Sequence, residues 1–446
     1  MLNMHRTAAL LLLALFSPGA QSATVWKGTS THSITSGSGD VLDTGGAAVT
    51  LSAGSMGESA FIGAITSLEA GSFQGKEVRL AGSLRVNDGA GAAAIWLRAD
   101  GPEGKLAFAS SGRQPVRAGD GAIGRELQLY IPAATTSIKF GVTLTSAGHL
   151  DVEHLTLTSQ PAKPSAVSAH DMVAHALPLI RANALNAHNV SWSAEEAALL
   201  TPDLKDLPAP EAYARIRKVL DALADRHSYL QTPKAATAYR QDAIPSRPIE
   251  VRAMQDIGYV LVPGLRGTDA RAAAAFTTEI CEHIGTLAPT SSKGWILDLR
   301  QDIGGNMWPM LNGLHSLLGT RDAGAFRDRH GVTTRWRSRA TPACEVDLSD
   351  SPVAVLVGPK TASSGEAVAV AFRARPAARF FGKTTAGLAT SNRAFPLPDG
   401  GVLRLTTAAM LDRDGEAYPE GITPESIVSS DQDAIESAAA WLRSMP

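Results

Sequence analysis

A chain of several domains, β-rich towards its N-terminus and α/β towards its C-terminus, is predicted by three observations. The 446 residues exceed what one hydrophobic core usually organises. Apolar residues alternate with polar ones through the first third. Later, short apolar runs alternate with helical patterns. At 44% hydrophobic and 19% charged the chain can bury sizeable cores, and 41 Gly with 25 Pro fall well short of a collagenous or low-complexity composition. A formal charge of −2 excludes a general nucleic-acid or anionic-membrane binder, because it supplies no excess of Lys and Arg for counterion release.

Residues 1–22 read as a secretory signal peptide. Arg6 supplies a positive charge, Ala8 to Phe16 is an uninterrupted apolar run, and Ala20 and Ser22 are small residues at the −3 and −1 positions. The run is about half the ~20 residues that span a bilayer, and no later stretch is long and apolar enough to cross one. A periplasmic or secreted protein is expected. In that oxidising setting Cys281 and Cys344 can pair or remain free thiols. Neither a CxxC nor a Cys/His spacing occurs, so neither a metal nor another cofactor is expected.

Residues 23–160 predict a β-sandwich or jelly roll. Val78, Leu80, Leu84 and Val86 alternate, as do Ile138, Phe140, Val142 and Leu144, with Gly, Ser, Asn and Asp clusters between such runs. A role for this domain in docking to carbohydrate or protein is open. Pro161 to Pro164 reads as a linker. The segment 165–232 reads as helical: Ser168 and Asp171 have capping-box spacing, and Tyr213, Ile216, Leu220 and Leu223 share one helix face. From 247 to 446 an α/β domain is expected, with strands at 259–262, 295–299 and 353–357 and helices around 269–285, 306–318 and 364–374.

Three segments could carry chemistry. Gly304 and Gly305 follow the 295–299 strand, where paired glycines can turn backbone N–H groups outward as an oxyanion hole needs; a plain turn is the commoner meaning of such a pair. Ser363 and Ser364 stand between a strand and a helix, at the positive end of a helix dipole that stabilises an alkoxide; on local sequence alone a helix cap is favoured. His227, in Asp225-Arg226-His227-Ser228, could serve as a general base, or be one exposed loop histidine among 11.

Taken together, the order of motifs resembles the S41 peptidases, the tail-specific or carboxyl-terminal processing proteases. The motifs are Asp298-Leu-Arg with Gly304-Gly305, then Thr361-Ala-Ser363 with Glu366, then Phe381-Gly382 with Thr385-x-Gly387, then Leu397-x-Asp399-Gly400, then Gly421-Ile422-x-Pro424. The resemblance covers about residues 165–430. It implies a crotonase-like α/β core, Ser363 as nucleophile, and oxyanion donors from Gly304 or Gly305 and from the Ser364 N–H. Where the processing-protease branch has a lysine base this chain has Leu388, and Lys383 lies five positions earlier. The resemblance is closer to the tricorn-like branch, which pairs serine with histidine and so points to His227. That branch also places a glutamate late in the domain to orient the imidazole, at Glu420 or Glu416, with Glu420 slightly preferred. The family's usual Asn appears as Asp302, a negative charge near the expected oxyanion hole. About fourteen residues separate Pro233 from Pro248, too few for the PDZ domain that many processing proteases insert there.

The reading from sequence is therefore an exported serine peptidase acting on peptide or protein substrates. Two rivals are a non-catalytic binder of a lipid or cell-envelope polymer, and a sugar-binding protein acting through the sandwich.

Overall fold

The computed structural model describes residues 27–30, 41–43, 49–54, 61–112, 114–241, 243–428 and 430–445; the expected signal peptide, residues 1–22, lies outside them. The chain divides into two units, Met1–Lys163 and Pro164–Pro446.

In the first unit the alternating runs become two antiparallel sheets. One runs in the order Lys27–Ser30, Phe61–Glu69, Ser137–Thr145, Ala92–Gly101, Gly104–Ser110, with Val116–Arg117 also on Ala92–Gly101. The other runs Val41–Asp43, Val49–Ala53, Gly148–Pro161, Lys76–Gly89, Ile123–Tyr130. Val78, Leu80, Leu84 and Val86 from one sheet and Ile138, Phe140, Val142 and Leu144 from the other are buried in one core. The period of two places each set on a single face.

In the second unit a sheet runs in the order Glu250–Met254, Ile257–Leu261, Trp295–Asp298, Val353–Val357, Ala378–Gly382, Ser426–Ile427. The first pair is antiparallel and the others are parallel. The inner strands Ile257–Leu261, Trp295–Asp298 and Val353–Val357 are buried on both faces, which is why they read as continuous apolar runs. Val260, Leu297, Val355 and Phe380 meet helices Ala270–Leu287 and Ser364–Phe372 on one side. Tyr259, Ile296, Leu356 and Phe381 meet helix Asp431–Ser444 on the other. The helix expected around 306–318 is two pieces, Met307–Gly313 and His315–Leu318, because Leu314 leaves helical geometry at φ −95° and ψ 13°.

A second, antiparallel sheet has Val402–Leu411 at its centre. That strand pairs with Tyr229–Gln231, Thr390–Pro396 and Gly324–Asp328, and the last of these pairs with Thr333–Trp336. Helices Ala169–Asn183 and Ala212–Ala222 bury Met172, Leu177, Ile216 and Leu220 against Leu397, Leu403 and Leu405 beneath it. The segment expected to be helical to residue 232 thus ends in a strand, and His227 stands at the entrance to that strand.

Candidate active site

The loop after strand Val353–Val357 is tied down before it reaches Ser363. Thr361 Oγ1 donates to Leu299 O at 2.8 Å and accepts from Gly358 N, and the Ala362 N–H donates to Asp302 O at 3.0 Å. These bonds drive Ser363 to φ 54° and ψ −113° at the head of helix Ser364–Phe372. A non-glycine residue held at such an angle costs about 1–3 kcal/mol and persists only where its surroundings over-determine it. Ser363 does occupy the N-cap position, but its hydroxyl also lies 2.9 Å from His227 Nε2.

His227 is fixed by its neighbours. Asp225 Oδ1 accepts the N–H groups of His227 and Ser228 at 3.0 and 2.8 Å, and Asp225 Oδ2 accepts the Ser228 hydroxyl at 2.6 Å. Ala224 and Arg226, on either side of Asp225, both have positive φ, 55° and 54°. From the second sheet, Asn392 Nδ2 donates to His227 O at 2.8 Å. The imidazole Nδ1 lies 2.7 Å from Thr390 Oγ1. Thr390 can accept Nδ1–H, the tautomer that leaves the Nε2 lone pair facing the serine hydroxyl. Burial pushes the imidazole below the ordinary histidine value, and the Asp225 charge only partly opposes this.

The glycine turn packs against the same serine. Gly304 has φ 93° and is buried; a Cβ on it would stand 2.9 Å from Ser363 Cβ and 3.1 Å from Ser364 N. Gly305 has φ 131° and is exposed, and a Cβ there would collide with Leu265 O. The Ser364 hydroxyl donates to Gly305 O at 2.8 Å and fixes the turn to the helix. The Gly304 N–H donates to Asp302 Oδ1 at 2.9 Å. Of the three expected oxyanion donors, Gly304 is therefore already engaged, whereas the N–H groups of Gly305 and Ser364 have no partner among the described residues.

Two motif carboxylates brace the site from outside the reacting groups. Glu366, fully buried, accepts from Ser363 N, Thr385 Oγ1, Gly387 N and Leu388 N at 3.0, 2.6, 2.9 and 2.7 Å. Burial raises its carboxyl above the usual range, and these four bonds pull the other way. Thr385 Oγ1 in turn accepts from Ile422 N at 2.8 Å, so the Thr385-x-Gly387 and Gly421-Ile422 motifs form one clasp around Glu366. Asp298 accepts from Tyr259 Oη at 2.7 Å and from Arg300 Nη2 at 2.6 Å, a strut within the sheet that stands apart from the serine.

The glutamates expected to orient the imidazole do not reach it. Asp412 Oδ1 accepts the N–H groups of Asp414 and Glu416 at 2.9 and 3.0 Å, and Asp412 Oδ2 accepts the Tyr418 hydroxyl. This folds the loop on itself and leaves the Glu416 and Glu420 side chains exposed. Thr390 takes the place at Nδ1. Lys383 is exposed and its backbone N donates to Val357 O, with no side-chain bond among the described residues, and Leu388 bonds Glu366 through its N–H. Thr390, Asn392 and Glu366 went unassigned in the sequence. Only Glu366 had a signal there, its place three residues after Ser363.

Cys281 and Cys344 form a disulfide with Cα atoms 4.8 Å apart. Among the described residues no group of three or more His, Cys, Asp or Glu could hold a metal ion, and no helix is long and apolar enough to cross a membrane.

Residues 256–428 match the profile of Peptidase family S41. His227 precedes that span. The nisin-resistance protein of Lactococcus lactis is 26% identical over 246 residues, 51% of this chain and 73% of that protein. The carboxy-terminal processing protease CtpA of Bacillus subtilis is 28% identical over 189 residues, and the alignment covers only 38% of its length. Among solved structures, a lipoprotein from Streptococcus agalactiae superposes with a TM-score of 0.55 at 26% identity, covering 64% of this chain and 99% of that one.

Proposed function

We propose, for a chain that carries an S41 peptidase domain and is on that ground a serine peptidase, that Ser363 is the nucleophile and His227 its general base. The observation that carries this reading is the 2.9 Å approach of His227 Nε2 to Ser363 Oγ, between residues 136 positions apart. In the acylation step the Ser363 oxygen bonds the substrate carbonyl carbon while its proton moves to Nε2. The negative oxygen that develops is met by the N–H groups of Gly305 and Ser364. His227 then gives the proton to the departing amine as the peptide C–N bond breaks, leaving an acyl-serine. Water, deprotonated by the same nitrogen, releases the acid and restores the hydroxyl.

Thr390 replaces the carboxylate of a serine triad. It selects the tautomer but brings no charge to offset the imidazolium, so slower turnover than with a carboxylate partner is the consequence. The lowered basicity of His227 keeps it neutral, and so able to accept a proton, at pH 7.

With full-length protein and fluorescein-labelled casein, S363A and H227A should each lose about 10⁶-fold in kcat, and K383A should retain activity. Retained hydrolysis by S363A, or loss in K383A with retention in H227A, would contradict the assignment.

The same reading takes residues 23–160 as a jelly-roll-like β-sandwich, residues 165–232 as a segment of the protease region that is helical up to the closing strand Tyr229–Gln231, and residues 247–446 as a crotonase-like catalytic domain. Residues 1–22 direct export. The rationale for export is the sequence pattern at Arg6 to Ser22 together with the disulfide, which persists outside the reducing cytosol.

A further inference from the structure

Asp302 is a carboxyl group with no ion-pair partner among the described residues, packed against Gly365 and Gly264 and bonded to both the glycine turn and the serine loop. It is 0% exposed. Its Oδ1 accepts the Gly304 N–H at 2.9 Å, and its Oδ2 has no partner among the described residues. The walls are backbone. A Cβ at Gly365 would stand 2.8 Å from Asp302 Cγ, and one at Gly264 would stand 3.1 Å from Oδ1. Asp302 O holds Ala362 N, so the residue joins the glycine turn to the serine loop.

Arg266, on the strand that packs against the Gly305 turn, makes no ion pair with Asp302 among the described residues, and the other charged groups on the flanking elements are engaged elsewhere. Arg300, two residues earlier, is bound by Asp298 and Asp431. Lys360, on the serine loop, bonds Gln301 Oε1 at 3.3 Å. Glu366, on the helix, is taken up by its four donors, and His227 faces Ser363 and Thr390. An ionised carboxylate here would be buried without a counter-ion, and its field would oppose negative charge on the substrate oxygen.

We infer that Asp302 is a positioning residue that works as an uncharged acid, anchoring Gly304 so that Gly305 presents its N–H to the oxyanion, and that its ionisation ends activity on the alkaline side. The inference rests on Ser363 and His227 having the roles proposed above. Burial pushes the carboxyl up to about 7, with the Gly304 N–H opposing the rise, which sets the pH at which the effect appears.

The test is the pH dependence of kcat for casein hydrolysis by the full-length protein and its D302N and D302A forms, from about pH 6 to about pH 10. D302N keeps an acceptor for Gly304 and cannot ionise, so its kcat should exceed that of the natural protein by about twofold at pH 7 and about tenfold at pH 8. D302A frees the turn and should lower kcat below that of D302N at every pH with KM little changed. The same alkaline fall in D302N as in the natural protein would overturn the inference. A direct measurement covers the case in which D302N does not fold. With ¹³C-labelled aspartate, the infrared carbonyl band of a protonated buried carboxyl should bleach near pH 7 in the natural protein and in S363A; a carboxylate band already complete at pH 5 would refute it. Undiminished hydrolysis by S363A would instead strike at the nucleophile assignment, leaving the infrared titration of Asp302 as a separate result.

Discussion

Ser363 has the backbone of a residue kept in place against its own preference, at φ 54°. Glycine enters that region freely, so S363G should abolish hydrolysis yet raise stability by about 1 kcal/mol; a loss of stability measured by urea unfolding would contradict the account of strain. At His227 the sign follows from burial. A lowered pKa means the neutral, base-competent imidazole persists below the ordinary value of 6.5 and is lost only as pH falls through the lowered one. The acidic limb of kcat/KM should therefore have its midpoint below 6.5, and a midpoint at or above it would count against His227 as base. T390V removes the acceptor for Nδ1–H, and kcat should fall about tenfold with KM little changed. Ser363 and His227 were legible in the sequence because motifs surround them. Thr390 was not, because it reaches the ring from a strand 163 residues away and threonine in a strand carries no chemical signature. The late glutamates misled for the opposite reason: a carboxylate near a motif is easy to find, and only the fold of the Asp412 loop turns it outward.

At the level of elements, the motifs divide into those that react and those that brace. Glu366 joins helix, serine and the Thr385–Leu388 loop through one carboxylate. E366A strands four donors, and the fold should lose about 3 kcal/mol or more along with activity, read from the denaturation midpoint. The disulfide joins helix Ala270–Leu287 to the loop that carries Cys344. Its two cysteines stand 63 residues apart, for which closure of the unfolded chain predicts about 4 kcal/mol of stabilisation. A C281A/C344A double variant should melt at lower temperature without change in the Ser363–His227 chemistry at 25 °C. Strand positions were readable because burial on both faces forces continuous apolar runs. The break at Leu314 and the strand at Tyr229–Gln231 were not, since each depends on partners distant in sequence.

At the scale of the molecule, the change of period near residue 161 marked the passage from β to α/β organisation, and the chain does divide between Lys163 and Pro164. The residues assigned to catalysis all belong to the second unit. The family resemblance already implied that Ser363, His227 and the glycine turn share one site; what the sequence could not convey was that Thr390 joins them, because that is a property of two sheets meeting: one brings Ser363 and the glycine turn, the other brings Thr390 and the strand that follows His227. The most direct test of that convergence is reaction of the full-length protein with a fluorophosphonate probe, followed by peptide mapping of the natural protein and H227A. The account predicts one adduct, on Ser363, formed far more slowly when His227 is replaced; an adduct confined to other residues, or unslowed labelling of Ser363 in H227A, would contradict it.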